Sequence, residues 1–123
     1  MITCPICNAH KLREGIIVES EHWIVRKAPD EKNLEGYCYL ESKSHTESWF
    51  SLSMEACKDF GNILHLGLAA SLTLPESPEK IYFTCISEAV PHLHMHMVPR
   101  YKHHEKGISH LEKALGPGFS KPL

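Results

Sequence analysis

The chain has 123 residues, 42% of them hydrophobic, with 13 basic and 15 acidic side chains and a formal charge of −2. That suits one domain with a single core, burying roughly two-thirds of the surface the unfolded chain exposes. It argues against a membrane span, since no apolar run approaches the roughly 18 residues needed, and it offers no basic surplus for a nucleic-acid backbone.

The opening stretch, MITCPICNAHKLREG, lacks the apolar core of a secretory signal and implies a cytosolic, cytoplasmic protein. Cys4-Pro-Ile-Cys7 reads as a short knuckle. Residues 15–20 and 22–27 are expected as two short strands around a Glu-Ser-Glu turn, and 28–36, polar and edged by Pro and Gly, as a loop. Aromatic-rich 37–42 reads as a third strand. Over 51–74, Leu52, Ala56, Phe60, Ile63 and Leu64 follow helical steps, with Ser51 or Ser53 to accept from an orphan amide at the start and Pro75 to stop the run. Residues 80–87 and 92–98 read as strands, with Pro99 at the end of the second, where a missing donor does least harm. Residues 107–116 suit one or two helical turns, and 117–123 should be loose. Strands meet strands without helical crossovers on both sides of the long helix, which predicts an α+β fold with a mainly antiparallel sheet. The whole is read as one domain, 1–123, with a knuckle segment over 1–14 and a tail over 115–123.

The chemistry concentrates in His92-Leu-His94-Met-His96-Met-Val98. Side chains of a strand alternate faces, so the three histidines are expected on one face and Leu93, Met95 and Met97 on the other. Neighbouring imidazoles would lie roughly 6–7 Å apart at Cα, close enough to surround one small anion. With 10 histidines in the chain, composition alone produces such a triplet in about six per cent of sequences. A solvated polar strand face or an adventitious metal site would show the same spacing. A neutral imidazole is, however, a nucleophile towards phosphorus and a good leaving group afterwards, and its neighbour can hold a phosphoryl oxygen or shuttle a proton near neutral pH.

Cys4 and Cys7 have the two-residue gap that puts two thiolates on one metal ion. Five cysteines do not make a complete disulfide set. A redox CxxC is the alternative, but it usually opens a helix in a βαβ unit, which this pattern does not suggest. No second CxxC exists, so further ligands must be histidines: His45 after the third strand is one candidate and His10 a nearer, less well-placed one. Cys38, Cys57 and Cys85 read as small core residues, His65 as an ordinary helix residue, Asp30 as a loop carboxylate, and His103 and His104 as a solvated loop able to rim a phosphate site.

These residues resemble the histidine triad (HIT) family. His92 to Val98 fits its His-φ-His-φ-His-φ-φ signature, and Pro99-Arg100 follows as in many members. Cys4-Pro-Ile-Cys7 is similar to the zinc-binding subgroup, and Glu35–His45 resembles the family's Gly-x-x-apolar-apolar-x-Pro-x-x-His segment, with Ser42 in place of the usual Pro. The resemblance covers most of the chain. It implies a HIT-like fold, generally a homodimer, that binds a small-molecule nucleotide and acts on its α-phosphate, with no nucleic-acid or membrane partner. It makes His94 the nucleophile that forms a nucleotidyl-histidine intermediate, and His96 the contact to the phosphoryl oxygens that assists proton transfer. It joins His92 to Cys4, Cys7 and His45 around a structural zinc with no open position. It assigns Glu88, Ala89 and Arg100 to substrate-contacting positions. Many members carry an amide and a hydroxyl where this chain has Glu88 and Ala89, so substrate choice stays open. The expected activity is a nucleotide hydrolase, either a nucleoside phosphoramidase or a dinucleoside polyphosphate hydrolase. A nucleotidyltransferase using the same adduct, or a zinc-stabilised nucleotide-binding module with little turnover, are the alternatives.

Overall fold

The structure, a computed structural model, describes residues 3–116. Helix α1 (Pro5–Lys11) leads into a hairpin of β1 (Ile16–Glu19) and β2 (Trp23–Lys27). Strand β3 (Cys38–Ser42), helix α2 (Met54–Ser71), β4 (Lys80–Thr84), β5 (His94–Arg100) and α3 (Ile108–Leu115) follow. The five strands form one sheet in the order β1-β2-β3-β5-β4 with every neighbouring pair antiparallel. This is the α+β architecture the strand order predicts.

The period-two pattern decides which face is which. Trp23, Val25, Cys38, Leu40, Met95 and Met97 point to one side, where they form the main core with Leu93 and with Ala56 and Ile63 of α2. Trp23 is fully buried and donates its indole N–H to the Ala56 carbonyl at 2.8 Å, so its polar atom is satisfied inside the core. Gly67 is the point of closest approach between helix and sheet: a Cβ there would meet both Met97 and Val25 at 3.4 Å. Helix α2 begins at Ser53, whose Oγ accepts from the Ala56 amide at 3.1 Å, and it ends at Ser71, short of Pro75.

The other face carries Arg26, Tyr39, Glu41, His94 and His96. Helix α3 covers only its far end, packing Ala114, Leu111 and Leu115 on Val98, Tyr37 and Tyr82. His94 and His96 are left half-buried beside that cover.

Four local expectations change. Cys4-Pro-Ile-Cys7 opens a helix: Cys4 is the N-cap, its Sγ accepting from the Cys7 amide at 3.4 Å, and Pro5 takes the first position, where no partner is needed for an N–H. That helix runs into an antiparallel hairpin, not a βαβ unit. Pro99 lies within β5, opposite Ile81 of β4. It is tolerated because the Arg100 carbonyl accepts from Glu79 of the β4 side, so Pro99 faces the β3 side, past the last β3 pair at Met97. Of the tail expected over 115–123, Leu115 is the last residue of α3 and Gly116 its C-cap, and 117–123 lie outside the described residues. Cys57 is exposed on α2 and is not a core residue, whereas Cys38 is buried.

Candidate functional site

Strand β5 starts at His94, so His92 lies just ahead of the ladder and takes a different environment from its two companions. His92 has no exposed surface. Its Nε2 lies 2.6 Å from the Ser42 carbonyl, which can only accept, so Nε2 carries the proton. Nδ1 is thereby left as a lone pair, and it faces the sulfurs of Cys4 and Cys7, each at 3.5 Å. His45 repeats the arrangement: Nδ1 is 3.4 Å from Cys7 Sγ and Nε2 is 3.4 Å from the Glu47 carboxylate. The four donor atoms lie within 4.8 Å of one another. A tetrahedral ion with bonds of about 2.0–2.3 Å has donor–donor edges of roughly 3.3–3.8 Å, and the three N···S separations, 3.5, 3.4 and 3.5 Å, match it. Burial lowers the pKa of His92, which favours the neutral form a ligand needs. Cys4, Cys7, His45 and His92 could therefore hold a metal ion, and both histidines already have the outer partner that orients a ligating imidazole.

His94 is held differently. Its Nδ1 meets the His92 carbonyl at 2.7 Å, so Nδ1 is the protonated nitrogen and Nε2 has the lone pair. No hydrogen bond to Nε2 is made among the described residues. Ser87 fixes the backbone here: its Oγ accepts from the His94 amide at 3.0 Å and donates to the His94 carbonyl at 3.1 Å. His96 lies next along the face, with ring centroids 5.4 Å apart from His94. Its Nδ1 is 2.7 Å from the hydroxyl of Tyr37, and the Tyr39 ring packs edge-on against it at 5.4 Å. Burial, reinforced by the neighbouring His94 and Lys32, pushes the His96 pKa down to about 4. Of the two adjacent imidazoles, His94 thus keeps an unengaged Nε2 and His96 is held neutral by its burial.

Beneath them runs an ion network absent from the sequence expectations. Glu41, 1% exposed, stands opposite His94 on β3. Its carboxylate accepts from Arg26 Nε at 2.7 Å, from Arg26 Nη2 at 2.9 Å, and from His10 Nε2 at 2.7 Å. Burial pushes the Glu41 carboxyl up, but the hydrogen bonds from His10 and Arg26 outweigh it and hold it below the usual carboxylate range. The His10 ring packs edge-on against His92 with centroids 5.7 Å apart. His10 is therefore not in the ligand cluster; it props a ligand from outside.

No family model matches the sequence, and no curated protein matches it in sequence. Solved structures match over most of the chain. A HIT family member from Bacillus subtilis superposes with a TM-score of 0.68 at 21% identity, over 83% of this chain and 76% of that one. A HIT family hydrolase from Clostridium thermocellum gives 0.65 at 18%, over 86% and 97%. A histidine triad nucleotide-binding protein from Candida albicans gives 0.64 at 16%, over 81% and 76%. The chain has the HIT-like fold.

On that fold the remaining expected residues separate. Glu88 and Ala89 are exposed in the turn after Ser87, which is joined to His94. Arg100 is buried, with Nη1 3.5 Å from the Tyr101 carbonyl and Nε without a partner among the described residues. At about 3.3 Å per residue it lies some 13 Å beyond His96 along β5, so the structure does not bring it to the two histidines. Asp30, His103 and His104 line a cavity of about 560 Å³ that neither His94 nor His96 borders. Sequence reasoning missed Tyr37, Glu41, Arg26 and Ser87. Their partners are distant in the chain or, for Ser87, backbone groups, and no local spacing announces either.

Proposed function

We propose that the protein binds a nucleotide on the open face of the sheet and cleaves it at the α-phosphate through His94. The observation that carries this reading is the His94 Nδ1 contact with the His92 carbonyl, which leaves Nε2 unprotonated and unengaged. In the first step Nε2 forms a bond to phosphorus. The bond from phosphorus to the leaving group breaks, the electron pair departs with that group, and water supplies its proton. In the second step water attacks the nucleotidyl-histidine, the P–N bond breaks, a proton is lost to solvent, and neutral His94 returns. The net reaction adds one water across the phosphorus bond.

His96, half-buried and neutral above about pH 4, contacts the phosphoryl oxygens beside His94. The ligand cluster is read as a structural zinc site of the kind found in the CxxC-bearing HIT subgroup. Four protein donors leave it no open position, so its part is to anchor α1 and the residue whose carbonyl orients His94. We assign Glu88 and Ala89, exposed near Ser87, to the leaving-group side. The neighbours described as a hydrolase and as a nucleotide-binding protein support this reading through their shared fold. A homodimer is also proposed: Phe83, exposed on edge strand β4, adjoins Phe60, which adjoins exposed Trp49, a surface that a second copy would cover.

Intact-protein mass spectrometry after quenching with a panel of nucleotides tests the chemistry. A mass increment of one nucleoside monophosphate, absent from His94→Ala, is the expected result. A fluorogenic adenosine phosphoramidate separates the alternatives: turnover in water alone supports the hydrolase, turnover only with added phosphate a transferase, and binding without turnover a nucleotide-binding module. Sedimentation at several concentrations reads the dimer.

A further inference from the structure

His96 is enclosed from several sides. Tyr37, 1% exposed, reaches its Nδ1 at 2.7 Å from the β3 side. Tyr39, directly opposite on β3, packs its ring edge-on against the imidazole at 5.4 Å. His94 packs against it from β5 at 5.4 Å, and Thr84 is its partner on β4. The charged groups that act on it are Lys32 from the β2–β3 connection and Glu41 from β3. Burial holds the Tyr37 phenol well above its ordinary range, so the hydroxyl keeps its proton across the physiological range.

A protonated phenol beside a neutral imidazole has one proton to place between the two heavy atoms. A phenol O–H is a stronger donor than an imidazole N–H, and an imidazole nitrogen a stronger acceptor than a phenol oxygen. At 2.7 Å the phenol therefore donates, Nδ1 accepts and the imidazole proton sits on Nε2. Nε2 is then a fixed donor on the half-open side, next to the lone pair of His94 Nε2. The two histidines would have opposite tautomers, one presenting a lone pair to phosphorus and the other an N–H to oxygen.

We infer that Tyr37 is a positioning residue that fixes His96 in the Nε2–H tautomer, making His96 a hydrogen-bond donor to a phosphoryl oxygen and not a proton carrier. No proton leaves His96 in the reaction: its N–H stays on nitrogen while charge develops on the phosphoryl oxygens, and water supplies the proton of the leaving group. The catalytic half of this inference rests on the proposed function; the tautomer itself does not.

Nitrogen-15 spectra of the histidine rings, taken on the full-length protein as purified without any nucleotide, test the tautomer directly. The expected His96 signals are a protonated Nε2 and an unprotonated Nδ1, unchanged from pH 8 down to about pH 5. In Tyr37→Phe the same ring should show a mixture of tautomers. Wild-type His96 protonated at Nδ1, or titrating near neutrality, overturns the inference, and so does a Tyr37→Phe ring with the wild-type tautomer. Should Tyr37→Phe fail to fold, the wild-type spectrum alone decides. With a fluorogenic adenosine phosphoramidate, Tyr37→Phe should lower kcat by about tenfold with KM within about twofold, and kcat in wild type should show no His96 titration between pH 5 and 8. Kinetics that depart from this overturn the donor role. The expected spectra in a protein that turns over no nucleotide would uphold the tautomer and refute the proposed function.

Discussion

His92 and His94 are two residues apart, of the same type, and differ in one respect that separates their roles. Both ring nitrogens of His92 are committed: Nε2 to the Ser42 carbonyl and Nδ1 towards two sulfurs. His94 commits only Nδ1, to the His92 carbonyl. A histidine with both nitrogens engaged can hold a structure together but cannot react. One with a single nitrogen engaged is oriented by that bond and keeps the other for chemistry. The corner at α1 and the open face of β5 are therefore two uses of one side chain, linked because the carbonyl that orients the second belongs to the first.

Breaking each side separately tests that contrast. Removing the free nitrogen is expected to have the largest effect. His94→Ala should lower kcat by about a thousandfold or more in the phosphoramidate assay, while metal content measured by plasma mass spectrometry stays at the wild-type level. Wild-type turnover in that variant would end the assignment.

Next in size is the committed corner. Cys4→Ala removes one of the four donors, and the thermal midpoint should fall by about 10 °C, read by calorimetry together with loss of the zinc proposed for that site. Activity should fall as well, because His92 is released and with it the carbonyl on which His94 leans. Full activity in a metal-free Cys4→Ala protein would show that the two regions are not linked.

The network beneath both regions sharpens the comparison. Glu41→Gln leaves the Arg26 guanidinium without a counter-charge in a half-buried position. Breaking such a pair from one side should cost about 3 kcal/mol in urea unfolding at neutral pH. The change should be larger than for Glu19→Gln, whose ion pairs with Arg13 and Lys43 are at the surface.

The smallest effect is a pH dependence. His96 has a folded pKa of about 4, against roughly 6.5 in the unfolded chain. Between those values the unfolded chain holds a proton that the folded one does not, so stability is full above about pH 6.5 and falls as the pH drops towards 4. The part due to this half-exposed ring should not exceed about 2 kcal/mol. The difference in stability between wild type and His96→Gln, followed by urea unfolding from pH 8 to 4, measures it. A difference that does not change with pH would remove the buried, neutral His96 from the account.

Much of the fold was legible because its signals are local. Period two in His94-Met95-His96-Met97 separates a core face from an open one, and the structure buries Met95 and Met97 while leaving both histidines half-open. The helical steps of α2 and its Ser53 cap are likewise read within a few residues. The ligand cluster was partly legible, since the gap between Cys4 and Cys7 is itself a spacing rule. Arg100, assigned to a substrate-contacting position by the resemblance, follows the triad in sequence, yet along an extended strand that adjacency becomes a separation of about 13 Å from His96. His10, expected as a nearer but less well-placed ligand candidate, is seated between Glu41 and His92 outside the cluster.

Residue order alone determined the strands, the long helix, the two faces of β5 and the presence of thiol and imidazole donors, because each depends on backbone periodicity or on spacing along a few residues. Only the folded chain decided which nitrogen of each histidine is protonated. That choice depends on the carbonyls of Ser42 and His92 and the hydroxyl of Tyr37, and two of these three partners, Ser42 in β3 and Tyr37 just ahead of it, are brought to the row by sheet pairing. Hydrogen bonding across strands has no signature in spacing, so the reactivity of the row was written in the tertiary structure.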